Sequence, residues 1–276
     1  MLDIQNILSQ TDNIRIYYQQ GTATWQTWRK PRNCSYVWIM CIGGGASGGG
    51  GRIGSTTATA GGGSGAVTKA IYPAVFLPDL LYVQPGPGGA RSSTAGICTV
   101  GNRSFVSAAP LSTSTANLAC ASGLNAAGIS GAGESALTPA SAFYLNLSDF
   151  ISTAGVAGTT TGNLSPLASS IVAPGTVAPT GVSAGGSFNV LDLGTLTTQA
   201  VPGGAVGGGN GANGYWSWKP MYGIGGAAGG YNAAGTGGNG GDAIGYGCGG
   251  GAGGNGSVAG GLGGRGGDGL VIIATF

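Results

Sequence analysis

The sequence predicts an all-β protein: a small β-sandwich whose glycine-rich loops pack as polyglycine II helices, with little or no α-helix. Two observations support this fold class. Glycine accounts for 62 of the 276 residues and is concentrated in broken runs between residues 203 and 269. The last run leads directly into the apolar, β-branched stretch 270–276, which is typical of a buried strand and not of a flexible linker.

The glycine runs predict an ordered bundle of extended segments. Glycine loses more backbone entropy on ordering than any other residue, so a glycine run is ordered only where the missing side chain is an advantage. Polyproline II segments point their amides and carbonyls outward, and glycine lets neighbouring segments approach closely enough to pair them. Collagen is excluded because the runs 207–209, 225–226 and 249–251 break the strict three-residue glycine period.

Short apolar or alternating segments predict the strands of the sandwich. In chain order they are residues 14–18, 35–42, 66–72, 80–84, 103–106 and 117–120. Turn-rich sequence such as 85–89 separates them, a spacing that favours a β-sandwich with glycine runs leaving from its ends. A short helix is expected near residues 3–8, where apolar residues fall on one face.

Composition and charge exclude several classes of protein. Charged residues make up 7% of the chain and the net charge is +2. The one basic cluster, Arg29, Lys30 and Arg32, gives no footprint for nucleic acid, and we expect these residues to flank a strand as solvated gatekeepers. No apolar run reaches the length of a membrane span, and the first twenty residues lack the pattern of a signal peptide.

The cysteine, histidine and aspartate content gives no indication of a catalytic or metal site. The five cysteines, which form no C-x-x-C pair, are predicted to be free buried thiols. The chain has no histidine, which removes the usual general base and the common nucleophile pairs, so we expect neither enzymatic activity nor a cofactor. Residues 237–245 and 263–271 match a calcium-binding nonapeptide pattern. Each match offers one carboxylate, too few for calcium, so Asp242 and Asp268 are interpreted as binding local backbone and no metal site is predicted.

The candidate binding residues are aromatic. The stretch 215–220 interrupts the glycine runs like a projecting loop, and Trp and Tyr provide large contact areas in binding sites. We therefore predict a receptor-binding surface made by five side chains: Tyr215, Trp216, Trp218, Lys219 and Tyr222. Lys219 would add a charge for anionic sugars or phosphates. The alternative is that the aromatic residues, Tyr231 and Tyr246 included, cover the glycine bundle and replace its absent core.

Motifs at the two ends of the glycine-rich region carry a resemblance to a known family. They are the residues 28–31 (WRKP), 43–51, 61–66 and 266–273 (GGDGLVII). Their order resembles the glycine-rich domain common in bacteriophage tail and fibre proteins. There a W-x-K-P element precedes the first strand and a G-x-G-G-D-G element precedes the last. The glycine-rich part is also similar to the distal tail-fibre adhesins of T-even-like phages, in which polyglycine II helices stack into a sandwich and tip loops contact the host receptor.

The resemblance implies a domain organisation and a function. Residues 1–24 would be an N-terminal virion-attachment segment. Residues 25–276 would be the glycine-rich domain, with a Ser/Thr/Ala-rich insertion at 121–200 that departs from the family pattern. The implied protein is a non-enzymatic tail-fibre or spike adhesin on the virion surface. Its partners would be a host receptor (an outer-membrane protein or a polysaccharide) and other virion proteins, or copies of itself, but no nucleic acid.

Two functions other than host binding are alternatives for a protein of this composition. One is a purely structural virion component, such as a decoration, spike-base or tail-assembly protein that binds other viral subunits through the same domain. The other is a silk-like matrix protein, which fits the glycine content but not the single terminal strand or the absence of periodic repeats.

Overall fold

The computed structural model describes residues 13–21, 24–55, 59–112, 117–121, 149–153, 169–170, 188–189, 200–218 and 221–276. These residues form fourteen strands and one short 3-10 helix, Ala74–Phe76, with no α-helix among them, so the all-β prediction is confirmed. Within these ranges no helix is long and apolar enough to cross a bilayer. The helix predicted near residues 3–8 lies outside the described residues.

The strands follow one another along the whole chain. They are β1 (Ile14–Tyr18), β2 (Gln26–Arg29), β3 (Tyr36–Ile42), β4 (Val67–Pro73), β5 (Leu80–Gln84), β6 (Ser104–Ser107), β7 (Asn117–Ala121), β8 (Asp149–Thr153), β9 (Ser169–Ser170), β10 (Phe188–Asn189), β11 (Ala200–Val201), β12 (Tyr215–Trp218), β13 (Met221–Ile224) and β14 (Leu270–Thr275). All six segments predicted as strands, and the C-terminal one, are strands in the structure, within two residues at each end. The stretch 215–218, predicted as a projecting loop, is instead strand β12.

Two antiparallel sheets form the sandwich. The first has the strand order β1-β14-β3-β4-β8 and the second has the order β2-β5-β6-β7. Side chains from both sheets fill the space between them, among them Trp28, Ile39, Tyr72, Leu81 and Ile273, all at most 3% exposed. The strands β3 and β14 are apolar throughout because they lie at the centre of the first sheet and are covered on both faces.

The glycine runs form a bundle of ten extended segments at one end of the sandwich. The segments are 43–51, 59–66, 85–92, 97–103, 202–206, 208–214, 225–231, 236–243, 247–255 and 259–269. The segment 43–51 shows the bonding rule. Its amides donate in rotation to three neighbours: Gly43, Ala46 and Gly49 to segment 59–66, Gly44 and Ser47 to segment 97–103, and Gly45, Gly48 and Gly51 to segment 259–269. This three-residue rotation is the period of a polyproline II helix, so the segments are the predicted polyglycine II helices.

Close contact between segments explains why glycine is required. A Cβ atom on Gly48 would lie 1.9 Å from the carbonyl oxygen of Gly251, and one on Gly264 would lie 1.9 Å from that of Gly241. These distances are far inside van der Waals contact, and the clashing atoms are backbone atoms that other hydrogen bonds hold in place. A residue with a side chain cannot replace glycine at these positions without moving the neighbouring backbone.

Asparagine and aspartate side chains complete the hydrogen bonds on one outer face of the bundle. Asn210 Oδ1 accepts the amide of Asn239 at 2.9 Å, and Asn239 Oδ1 accepts that of Leu262 at 2.8 Å. One turn further along, Asn213 and Asp242 repeat the pattern on the next amides. Because outer amides have no further segment to pair with, these side chains satisfy donors that would otherwise face water.

The W-R-K-P motif (residues 28–31) lies at the end of the sandwich opposite the glycine bundle, where it contacts both the core and the turn around the 3-10 helix. Trp28 is 3% exposed and packs between the sheets. Lys30 Nζ donates to the carbonyls of Ala74 and Leu77, at 3.1 and 2.7 Å, and lies 3.0 Å from Asp79 Oδ1. The expectation that Lys30 is a solvated gatekeeper is therefore wrong, because its ammonium group closes the turn around the 3-10 helix. Arg29 and Arg32 are exposed, as expected.

The cysteines are free thiols where the structure describes them. Cys41, Cys98 and Cys248 are buried and Cys34 is partly exposed. The prediction of free thiols is confirmed for these four residues, but the prediction that Cys34 is buried is wrong. Burial raises the pKa of Cys98 to about 11, so this thiol stays protonated at neutral pH. The side chain of Cys120 lies outside the described residues.

The insertion at 121–200 is described only in short pieces. Its strand β8 extends the first sheet beside β4, and β10 pairs with β13 through Phe188 and Gly223. The insertion therefore contributes strands to the same body as the glycine bundle.

We expect an added methyl group inside the bundle to destabilise the protein strongly. In Gly250→Ala and Gly253→Ala, the new Cβ would lie 2.1 Å from the carbonyl oxygens of Gly264 and Gly261. Since the backbone cannot yield on either side, the free energy of unfolding should fall by at least about 3 kcal/mol, at the upper end of overpacking costs. Urea denaturation measures the change. The control Ala205→Ser, at an exposed position, should cost less than about 0.5 kcal/mol, and equal effects would contradict the packing.

Amide hydrogen exchange should separate the bundle from its loops. The amides of Gly48, Gly251 and Gly264 donate to neighbouring segments, and their exchange requires the bundle to open. We expect them to exchange at least about a thousandfold more slowly than random coil, whereas the amide of the exposed Val206 should exchange quickly. Random-coil rates at the three glycines would show that the glycine runs behave as linkers.

Candidate functional site

The predicted receptor-binding residues lie on a hairpin close to the sandwich. Strands β12 and β13 pair in antiparallel register, with Tyr215 opposite Ile224 and Trp218 opposite Met221. Lys219 lies outside the described residues, and for Tyr222 the structure describes the backbone but not the side chain. The hairpin follows segment 208–214 and precedes segment 225–231, so it is located where the glycine bundle meets the strands.

Trp216 contributes to a second hydrophobic core. Its indole packs on the outer face of the first sheet, in a cluster that contains Met40, Leu270 and Cys248. A Cβ on Gly223 would lie 3.1 Å from Cε3 of the indole and 2.4 Å from Cys248 Sγ. Glycine at this position therefore makes room for the ring, and Trp216 acts as cover for the sheet, as the alternative interpretation of the aromatic residues expected.

Four aromatic rings form one cluster beside this core. Trp216 contacts Trp218 and Tyr246 edge to face, with centroids 5.4 and 5.1 Å apart. Tyr246 also contacts Trp218 at 5.7 Å and Tyr18 at 5.9 Å. Burial raises the pKa of Tyr246, and the nearby Tyr18 and Asp268 raise it further. Tyr18, on β1, escaped sequence reasoning because only the sheet register brings it next to the hairpin.

The aromatic cluster still presents a surface. Tyr18 is 44% exposed, Trp218 is 41% exposed and Tyr215 is 45% exposed. Of the predicted binding residues, the structure thus places Tyr215 and Trp218 at the surface and Trp216 mostly underneath. A binding role for the exposed pair stays a prediction.

A second surface lies at the far end of the glycine bundle. Five loops of the described chain connect outgoing to returning segments there, and we call them the distal loops: 52–55, 92–97, 205–208, 231–236 and 255–259. Backbone hydrogen bonds tie neighbouring loops together: Gly256 to Arg52, Gly54 to Gly256, Ser257 to Asn232, Val258 to Gly235 and Gly207 to Tyr231. In addition, the Asn232 side-chain amide donates to the carbonyls of Gly207 and Thr236. The fifth loop, 92–97, exchanges hydrogen bonds with Gly50, two residues before the loop 52–55, so the loops form one connected surface.

The distal loops expose aliphatic side chains. Val258 is 67% exposed, Ile53 is 65% exposed, Val206 is 64% exposed and Ile97 is 43% exposed. Arg52 is the one charged residue among the loops as described, and its guanidinium lies over Gly96. Single exposed aliphatic residues are ordinary, but four on one set of bonded loops form a patch that can bind a complementary surface.

Sequence reasoning missed the distal loops, although a signal was present. Each of these aliphatic residues interrupts a glycine or alanine run singly, as in Gly51-Arg52-Ile53-Gly54. Such an isolated apolar residue cannot form a core of its own and marks a place where the chain turns. The prediction chose the hairpin instead, because aromatic side chains offer a larger contact area than the single aliphatic residues of the loops.

The two aspartates of the nonapeptide matches bind backbone and arginine. Asp242 Oδ1 accepts the amide of Arg265 at 2.7 Å, and its Oδ2 lies 2.6 Å from the Arg91 guanidinium. Asp268 Oδ1 accepts the amide of Gly88 at 2.8 Å and pairs with Arg265. Apart from the ion pair between Asp268 and Arg265 within one segment, these partners belong to neighbouring segments, which corrects the interpretation that the aspartates bind local backbone. Within the described residues no three potential metal ligands lie together.

Truncating the two tryptophans should have different effects on stability. In Trp216→Ala the second hydrophobic core loses its cover, and we expect the free energy of unfolding to fall by at least about 2 kcal/mol. In Trp218→Ala a 41% exposed side chain is removed, and the loss should stay below about 1 kcal/mol. Denaturant unfolding of the two variants measures this difference. Equal losses would show that Trp216 does not support the sheet.

Comparison with known proteins identifies a family for this chain. None of the curated proteins compared with the chain matches it. The family model described as the glycine-rich domain matches residues 20–275, a range that contains the glycine bundle, both end motifs and all of the sandwich except its edge strand β1. The chain therefore belongs to the glycine-rich domain family.

Proposed function

We propose that this chain is a non-enzymatic protein of a bacteriophage particle, displayed on the virion surface as a tail-fibre or spike adhesin, and that it binds the host cell surface. The resemblance of the end motifs to phage tail and fibre domains supports the phage origin. The arrangement of the distal loops supports binding as its activity.

The observation that carries the proposal is the pairing of a rigid bundle with exposed loops. The loops are joined to one another by backbone hydrogen bonds, and their ends continue into segments that are hydrogen-bonded to their neighbours along their length. Loops held in this way lose little conformational entropy when they bind, which favours affinity. Functional loops on a rigid frame are a common arrangement for recognition.

The chemistry of the distal loops favours a protein receptor. Ile53, Val206 and Val258 offer aliphatic contact area, and only Arg52 carries a charge among the described loop residues. A charged polysaccharide would call for more cations, and the one aromatic ring in the described loops, Tyr231, is only partly exposed. We therefore propose that the loops bind the exposed part of an outer-membrane protein, with the exposed Trp218 and Tyr215 as a second contact area nearer the sandwich.

Replacing the exposed aliphatic residues should reduce adsorption without changing the fold. We expect Ile53→Ser and Val258→Ser each to weaken binding of the chain to host cells by at least about 1 kcal/mol, a factor of about five, as for residues near the centre of an interface. Thermal stability should change little because both side chains are exposed. The measurement is adsorption of particles that carry each variant.

Matched controls lie elsewhere on the surface. Ile244→Ser and Val75→Ser remove side chains that are 61% and 81% exposed, at positions away from the distal loops, and should leave adsorption unchanged. Normal adsorption of the loop variants, with loss only in Trp218→Ala, would move the binding site to the aromatic hairpin. Particles that fail to assemble when the chain is deleted would favour the purely structural alternative.

A further inference from the structure

A groove at the base of the sandwich has no role in the function proposed above. The basal end lies opposite the glycine bundle, where β3 begins, β4 and β14 end, and the W-R-K-P motif lies. On one side of this end, β1 is the edge of the first sheet and β2 is the edge of the second. A cavity of about 510 Å³ separates the two edges, lined among others by Arg15, Tyr17, Thr27, Trp28 and Arg29.

The free backbone groups of both edges can be identified from their bonded neighbours. The amide of Thr275 donates to the carbonyl of Asn13. Because hydrogen-bonded residues alternate along an antiparallel pair, the odd-numbered residues of β1 bond to β14. The amides and carbonyls of Ile14 and Ile16 therefore point outward, away from β14. On β2 the amide of Lys30 donates to Asp79, which leaves Thr27 and Arg29 turned outward. Both sheets therefore present unpaired strand edges along this side of the described structure.

Two side chains close the groove on the side of the bundle. Gln26 Nε2 donates to the carbonyl of Tyr18 at 2.7 Å, and the hydroxyl of Tyr17 donates to the carbonyl of Thr27 at 3.3 Å. Burial raises the pKa of Tyr17 to about 12, against the opposing effect of Arg15, so the hydroxyl remains a donor at neutral pH. The groove stays open at the basal end, beside Ile14 and Arg29.

The charge of the basal end is strongly positive. Arg15, Arg29 and Arg32 are exposed, and no described carboxylate forms an ion pair with any of the three. Asp79, an acid at this end, pairs with Lys30, and Asp149 begins β8, at the opposite edge of the first sheet from β1. A second cavity, of about 710 Å³, continues the groove past Arg29 to Arg32. The groove is thus a concave, cationic surface bordered by free strand edges.

We propose that the basal groove binds an extended acidic segment of a partner polypeptide, which pairs with the edge of β1 and places its carboxylates against Arg15 and Arg29. Strand addition uses the free amides and carbonyls of an edge, and side chains provide the selectivity. Arginine binds carboxylates through two parallel hydrogen bonds. Nucleic acid, the other polyanion, offers no peptide groups for the free strand edge. This binding is independent of the distal loops, which lie at the other end of the molecule.

The test uses the full chain and a synthetic octapeptide of alternating glutamate and valine. Calorimetric titration should show binding that weakens at least tenfold between 50 mM and 500 mM salt. The double variant Arg15→Gln, Arg29→Gln should bind at least tenfold more weakly. The control Arg103→Gln, which makes the same charge change at an exposed position near the bundle, should bind normally. No binding by the unchanged chain, or equal weakening by Arg103→Gln, would overturn the proposal.

Two further measurements separate strand addition from simple charge attraction. The same peptide with alternate amides N-methylated should bind at least tenfold more weakly, because it cannot pair with a strand edge. Hydrogen exchange should show new protection at the amides of Ile14 and Ile16, with little change at Arg15, whose amide already faces β14. Equal binding of the N-methylated peptide, or of a dodecathymidine oligonucleotide, would overturn the proposal. So would dimerisation of the chain alone that depends on Arg15 and Arg29, because the groove would then bind a second copy.

Discussion

The structure depends on hydrogen bonds between backbones that approach more closely than any side chain allows. In the interior of the glycine bundle a segment such as 43–51 donates its amides to three neighbours in turn, and at Gly48 and Gly264 a neighbouring carbonyl oxygen lies 1.9 Å from where a Cβ would be. A lattice of this kind has almost no apolar core, so its order comes from satisfied peptide groups instead of buried side chains. The entropy that glycine loses on ordering is offset by the many bonds that only glycine permits.

The bundle and the sandwich support each other through shared segments. The strands β3, β5 and β14 continue directly into glycine segments, so the register of the sheets sets the register of the bundle. The outer face of the bundle is completed by Asn210, Asn239 and their neighbours, whose side chains accept amides that lack a further segment. This arrangement explains how a chain with 7% charged residues presents a polar surface: backbone and amide groups replace charges.

The two ends of the molecule have different chemistry. The distal loops are aliphatic and carry a single described charge, Arg52, whereas the basal end carries Arg15, Arg29 and Arg32 around a groove. A protein with one apolar and one cationic end is suited to bind different partners at each. The adhesin proposal assigns the host to the distal end, and the groove proposal assigns an acidic polypeptide to the basal end.

The sequence by itself determined the fold class, seven of the fourteen described strands and the polyglycine II bundle, because these follow from local periodicity and from the absence of side chains in the glycine runs. It did not determine which side chains meet. Asp268 binds the amide of Gly88, 180 residues away, and Tyr18 reaches Tyr246, through lattice and sheet neighbours that no local pattern records. Trp216 and Trp218 lie two residues apart, on the same face of β12, yet Trp216 packs on the cluster that covers the first sheet and Trp218 is 41% exposed. The distal loops and the basal groove are each formed by segments that are far apart in the sequence and adjacent in the fold. Only the tertiary structure could therefore reveal them.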